Sequence, residues 1–177
     1  MNRTIFVTGG ARSGKSRLAE QLAFNFGEQL CYLATAQSLD DEMGQRIRTH
    51  QQRRGDHWHT IEEPLHLSQA LAANDGDFNV ILVDCLTLWL SNLLLLYENL
   101  GEETEIRILD DVQRLATTLR GMTTPVIIVS NEVGMGIVPE NKLARMFRDI
   151  AGQANQIIAA AADEAWLVAS GIPLKLK

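Results

Sequence analysis

An α/β fold, a mostly parallel sheet with helices on both faces, is the architecture this 177-residue sequence predicts. Three observations predict it. Short apolar runs of strand character alternate along the chain with longer segments of helical periodicity. The runs are near-continuous in hydrophobicity, as strands buried on both faces are. Each ends in small or polar residues, as expected where ligands gather at the carboxyl ends of parallel strands.

The β-branched run Thr4-Ile5-Phe6-Val7-Thr8 predicts the first strand, 4–8. A glycine-rich string then leads into a helix over 15–26. A second strand is expected over 30–35, and a helix over 39–53 follows from the stripe of Leu39, Met43 and Ile47 at four-residue spacing. A helix over 65–73 precedes the apolar strand 80–84, and 86–99 reads as a buried helix. Helix 103–119, strand 126–130, helix 140–161 and strand 164–168 complete the alternation, with a short final strand over 173–176. The loosest stretches are 55–59 and 74–79. No repeat, low-complexity segment or Pro/Gly/Ser linker divides the sequence, so one domain over 1–177 is expected.

Composition narrows the class. The chain is 46% apolar and 21% charged, ordinary for a globular protein. A net charge of −6 argues against a general nucleic-acid surface. The longest apolar stretch, 86–97, is interrupted by Thr87, Ser91 and Asn92 and is too short to span a bilayer. Strand residues begin by Thr4, with no signal-peptide pattern before them, which predicts a cytoplasmic protein. Cys31 and Cys85 lie in apolar strand contexts, without metal-ligand spacing, and read as small core residues.

The chemistry begins at Gly9-Gly10-Ala11-Arg12-Ser13-Gly14-Lys15-Ser16, a complete G-x-x-x-x-G-K-[ST] phosphate-binding loop set between a strand and a helix. It makes the fold class a P-loop nucleotide-binding (RecA-like) one. Its glycines let backbone N–H groups converge on phosphate oxygens, and the helix start adds its dipole. Lys15 is expected to reach the β and γ phosphates and Ser16 to ligate Mg²⁺, the expected cofactor. Val80-Ile81-Leu82-Val83-Asp84 is an apolar strand ending in an acid, the form expected of the carboxylate on the Mg²⁺ side.

The least ordinary segment is 38–54. Ser38 and Asp41 resemble a capping box, and acids crowd the first turn. His50 borders the apolar stripe among Arg46, Arg48, Arg53 and Arg54. A histidine in a cationic setting has its charged form disfavoured, and a neutral imidazole can attack phosphorus. On spacing alone, a solvated basic helix with an incidental histidine is the favoured reading. His57 and His59 are two residues apart with no third ligand near them, a poor metal pair, and His66 carries no signal.

Longer strings resemble one family, the bifunctional adenosylcobinamide kinase / adenosylcobinamide-phosphate guanylyltransferases of cobalamin synthesis. They are Thr8 through Ser16, Tyr32-Leu33-Ala34-Thr35-Ala36, Asp40-Asp41-Glu42-Met43 and Arg46-Ile47-Arg48-Thr49-His50. The most specific is Ser130-Asn131-Glu132-Val133-Gly134-Met135-Gly136-Ile137-Val138-Pro139-Glu140-Asn141, continuing into Phe147-Arg148-Asp149-Ile150-Ala151-Gly152 and Asn155-Gln156. The resemblance implies two reactions. A nucleoside triphosphate, ATP or GTP, phosphorylates the aminopropanol hydroxyl of adenosylcobinamide. GTP then transfers GMP to a histidine, and the cobinamide phosphate takes it to give adenosylcobinamide-GDP. The family's guanylylated histidine maps onto His50. Its nucleotide contacts map onto Gly9, Gly10, Ala11, Arg12, Ser13, Gly14, Lys15 and Ser16, onto Ala34, Thr35 and Ala36, onto Gln51, Gln52, Arg53 and Arg54, and onto Glu62 and Asp84. Arg53 stands where the family form has glycine, and Asp84 where it can have Glu. The family is similar to trimers, so a homo-oligomer is implied, with Leu88, Trp89, Leu93, Leu94 and Leu96 divided between core and interface.

Two other readings use the same loop. A single-step small-molecule kinase would share Lys15 and Asp84 without needing His50. A GTPase switch would need an N-K-x-D guanine reader, and the Asn-Lys pair here continues as Asn141-Lys142-Leu143-Ala144.

Overall fold

In the computed structural model, residues 3–36 and 57–177 are described. The predicted helix 39–53, with His50 and the Gln51–Arg54 contacts, lies outside them.

The described chain runs β1 (Thr4–Gly9), α1 (Lys15–Ala23), β2 (Leu30–Ala34), β3 (Trp58–Glu62), α2 (Leu67–Ala73), β4 (Val80–Asp84) and α3 (Leu86–Tyr97). It continues through α4 (Glu103–Gly121), β5 (Val126–Asn131), α5 (Lys142–Ala161), β6 (Glu164–Ala169) and β7 (Ile172–Lys175). Short 3₁₀ turns, Phe24–Phe26 and Glu98–Leu100, extend α1 and α3. The strands form one seven-stranded sheet in the order β3-β2-β4-β5-β1-β6-β7. All neighbours are parallel except β6 and β7, which form an antiparallel hairpin. This is the mostly parallel α/β sheet that the alternation of elements predicts.

Why the central strands read as continuous hydrophobic runs is plain from their packing. Successive side chains enter opposite faces, and both faces are covered. Phe6, Cys31, Leu33, Ile81, Val83, Val126 and Ile128 join one core with buried residues of α2, α3, α4 and α5. Ile5, Val7, Leu30, Tyr32, Val80, Leu82, Ile127 and Val129 join the other, against Ala19 and Ala23 of α1. Helix α3 is apolar nearly all round because it lies inside the first core. Trp89, Leu90, Leu93 and Leu94 are buried there, whereas Leu95, Leu96 and Leu100 are exposed. Among the described residues no helix is long and apolar enough to cross a membrane.

Three differences from the sequence reading have local causes. Strand β3 falls partly in a stretch read as loose. Its Trp-His-Thr-Ile-Glu pattern is half exposed because β3 is the sheet's edge, so it lacks the hydrophobic run of the inner strands. Helix α2 starts at Leu67 because the Glu63 carboxylate accepts from the N–H groups of Leu65 (2.9 Å) and His66 (2.7 Å), holding them in a turn. Helix α5 starts at Lys142 because the Asn141 side chain caps it, accepting from Ala144 N at 3.0 Å.

Candidate functional site

The loop between β1 and α1 is shaped by two glycines with different duties. Gly14 has φ 99°, a conformation side chains rarely adopt, and is the N-cap from which α1 starts. Gly9 is extended, and its constraint is space. A Cβ there would stand 2.4 Å from Val168 O of β6 and 2.6 Å from Ser13 Oγ. Arg12, at φ 56°, turns the chain between them.

Lys15 is buried, and its Nζ donates to Gly10 O at 3.0 Å, so the ammonium lies inside the loop's curve. Burial lowers its pKa from the ordinary lysine value, while the neighbouring Cys85 and Asp84 oppose that shift. Asp84 ends β4 and the loop follows β1, so the two motifs lie at the same sheet edge with only β5 between their strands.

Asp84 is held from two sides. Its Oδ2 accepts from the Tyr32 hydroxyl at 2.9 Å. The residue after it is tied to β2 by Thr35, which is fully buried. Thr35 Oγ1 accepts from Cys85 N at 2.8 Å and donates to Cys85 O at 2.7 Å. Asn92 of α3 donates to Thr35 O at 2.8 Å and to Pro64 O at 3.0 Å, closing the same latch. Burial pushes the Cys85 thiol up to about 12, so it is a neutral wall of the site.

Strand β5 ends between the loop and Asp84. Glu132 N donates to Gly9 O at 3.0 Å, and a buried network fixes the strand end. Ser130 Oγ donates to Asn155 Oδ1 at 2.7 Å, Asn131 N donates to Thr87 Oγ1 at 2.6 Å, and Asn155 Nδ2 donates to Asn131 O at 3.3 Å. Beyond it, Met135, Ile137 and Val138 stand exposed on the loop leading to α5.

The predicted site residues thus divide three ways. Gly9 to Ser16 and Asp84 lie at the same edge of the sheet, at the ends of β1 and β4 with the end of β5 between them. Ala34, Thr35, Ala36 and Glu62 lie farther along the same edge. Ala34 pairs with Asp84 on one side and Glu62 on the other. Glu62 is exposed at the end of β3, four strand spacings or roughly 19 Å from β1. Thr35 is fully buried, its side chain bonded to Cys85 and its backbone to Asp84 and Asn92. His50 and Gln51 to Arg54 lie outside the described residues. His59 stacks on Phe78, with ring centroids 5.5 Å apart, and among the described residues no group of three His, Cys, Asp or Glu could hold a metal. Sequence reasoning missed Tyr32, Thr87, Asn92 and Asn155 as site supports. Their partners are remote in sequence, so only the strand order brings them together.

Comparison with known proteins fits this geometry. A family model described as cobinamide kinase / cobinamide phosphate guanyltransferase matches residues 5–176. The bifunctional adenosylcobalamin biosynthesis protein CobU of Salmonella typhimurium is 49% identical over 180 residues, covering 98% of this chain and 99% of that protein. CobU of Escherichia coli is 47% identical with the same coverage, and CobP of Pseudomonas aeruginosa 44% over 171 residues, covering 97% and 95%. Two solved structures share the fold. The flagellar accessory protein FlaH of Methanocaldococcus jannaschii has TM-score 0.53 at 14% identity, covering 99% of this chain and 78% of that one. The RadB recombinase has TM-score 0.50 at 16% identity, covering 93% and 73%. The architecture is that of RecA-like P-loop proteins.

Proposed function

The chain belongs to the cobinamide kinase / cobinamide phosphate guanyltransferase family, and we propose that it carries out both reactions at one triphosphate site. It phosphorylates the aminopropanol hydroxyl of adenosylcobinamide with ATP or GTP. It then moves GMP from GTP, through a guanylylated His50, to the cobinamide phosphate. The observation that carries this reading is the seating of Lys15 inside the loop, with Asp84 on the same sheet edge across β5.

One site serves two chemistries if different phosphorus atoms meet different nucleophiles. In the kinase step the substrate oxygen bonds the γ-phosphorus, the bond from that phosphorus to the β,γ-bridging oxygen breaks, and the hydroxyl proton is lost. Lys15 and the loop N–H groups bind the charge that moves onto the leaving diphosphate. In the guanylyl step an imidazole nitrogen of His50 bonds the α-phosphorus and pyrophosphate leaves, its charge again meeting Lys15. A phosphate oxygen of the cobinamide phosphate then bonds the same phosphorus and the imidazole is released. The covalent stage lets two bulky partners use the site in turn.

The donor set fits Mg²⁺. The Ser16 hydroxyl and Asp84 carboxylate are hard oxygen donors, and such an ion takes few protein ligands besides phosphates and water. When bound it would neutralise charge on the phosphate oxygens. Tyr32 and the Thr35 latch orient Asp84 for this duty. The nucleotide lies along the strand ends, phosphates on the loop and the remainder toward Ala34, Ala36 and Glu62. The exposed Met135, Ile137 and Val138 offer apolar surface to the corrin ring beside the loop. Leu95, Leu96 and Leu100 are left for contact between copies in a homo-oligomer.

The test is incubation with α-labelled GTP. A phosphoramidate on imidazole is acid-labile and comparatively base-stable, so label stays on the protein in base and leaves in acid. His50→Ala loses the label and the guanylyl transfer while cobinamide phosphorylation partly survives. Absence of label on the wild-type protein would favour the single-step kinase.

A further inference from the structure

We propose that the turn joining β6 and β7 is a positioning element for the phosphate loop, with Gly171 its principal residue, and that it sets triphosphate affinity for both reactions at once. This rests on the reading that one loop serves both.

The turn is built for close approach. Ala169 pairs with Ile172, so two residues close the hairpin. Both lie at positive φ, Ser170 at 52° and Gly171 at 82°, as a type I′ hairpin requires. Gly171 N donates to Ser13 O at 2.8 Å. A Cβ on Gly14 would lie 3.3 Å from Gly171 Cα, so the turn rests on the glycine from which α1 starts. On the strand before it, Val168 O is the atom that excludes a side chain at Gly9, its register partner. The hairpin therefore touches the loop at Gly9, Ser13 and Gly14, three of its eight residues.

The Ser13 contact has a chemical consequence. A peptide whose carbonyl is held by Gly171 has a fixed plane, and its N–H partner belongs to Gly14, which lines the path of the phosphates. Loop N–H groups bind phosphate only when they converge, so freeing this plane weakens binding without touching the nucleophile.

The far end of the hairpin is anchored separately. Lys177 Nζ donates to Ala162 O at 2.5 Å and to Ala160 O at 3.3 Å, at the C-terminal end of α5. Lys175 lies over the Trp166 ring, 5.6 Å from its centroid. Stability of the hairpin and its hold on the loop can thus be changed independently.

A side chain at Gly171 would meet nothing within 4 Å, so substitution there acts through backbone conformation alone. Gly171→Val opposes φ 82° most strongly, Gly171→Ala less, and Gly171→Asn least, since Asn tolerates the left-handed region. The readouts are Kd for a fluorescent triphosphate analogue, KM and kcat for both reactions, and Tm. Gly171→Val raises Kd about tenfold and raises KM for the two reactions by a common factor, with kcat nearly unchanged. Gly171→Ala gives a smaller rise and Gly171→Asn restores wild-type binding. Lys177→Ala lowers Tm and leaves Kd alone. A fall in Tm with wild-type Kd in Gly171→Val and Gly171→Ala would overturn the proposal, as would Gly171→Asn binding no better than Gly171→Val. Kd measured without turnover keeps this separate from the two-reaction reading, whose failure would appear as KM changing in one reaction only.

Discussion

Replacing Thr35 with Val should cost more than a buried methyl-for-hydroxyl exchange suggests. Thr35 is fully buried, and its Oγ1 both accepts from Cys85 N (2.8 Å) and donates to Cys85 O (2.7 Å). Valine keeps the shape and loses both bonds. The Cys85 carbonyl retains a second partner, Trp89 N at 3.2 Å, so its loss is that of one net hydrogen bond, about 1 kcal/mol. The Cys85 N–H is left without a partner in a dry site, which adds about 1–3 kcal/mol. A total of about 2–4 kcal/mol corresponds to a fall in Tm of about 4–16 °C for a chain of this size. Because Cys85 follows Asp84, the Mg²⁺ concentration needed for half-maximal turnover should rise as well. Thermal unfolding and a Mg²⁺ titration of the kinase reaction measure the two effects. A Tm within about 2 °C of wild type, with unchanged Mg²⁺ demand, would refute the view that Thr35 secures the end of β4.

Asp84→Asn removes the charge beside the loop, so turnover in both reactions should become less responsive to Mg²⁺; an unchanged Mg²⁺ titration would return Asp84 to a structural role. The pH profile for triphosphate binding should carry an alkaline limb from Lys15. Burial lowers its pKa, so binding is full below that pKa and falls as pH rises through it, earlier than for an exposed lysine. In Asp84→Asn the limb should move to still lower pH, because Asp84 raises the Lys15 pKa; a limb that stays in place would exclude this coupling.

What could be read from the sequence is what local chemistry dictates. The inner strands β1, β2, β4 and β5 carry runs such as Val126-Ile127-Ile128-Val129, buried on both faces, and their identity follows from composition alone. The phosphate loop is contiguous, so its function is written in one string. Edge strand β3 was missed because exposure dilutes its pattern with His59 and Glu62. The antiparallel direction of β7 depends on the turn at Ser170 and Gly171, whose effect on the loop is invisible in a linear reading. Thr35 illustrates the remaining limit. The resemblance implies a nucleotide contact there, whereas the bonds of its side chain to Cys85 follow from the adjacency of β2 and β4, which no linear reading shows. The Ser130, Asn155 and Thr87 network has the same character, joining β5, α5 and the start of α3.

The central claim is that one phosphate loop serves both phosphoryl and guanylyl transfer. Lys15→Ala tests it most directly, with cobinamide phosphorylation and GMP transfer from GTP measured on the same preparation and folding checked by Tm. The Lys15 ammonium meets the charge that develops on the leaving phosphates in either reaction, so each rate should fall by at least about 10²-fold. Loss of phosphorylation alone, with guanylyl transfer at the wild-type rate, would mean a second nucleotide site and contradict the account.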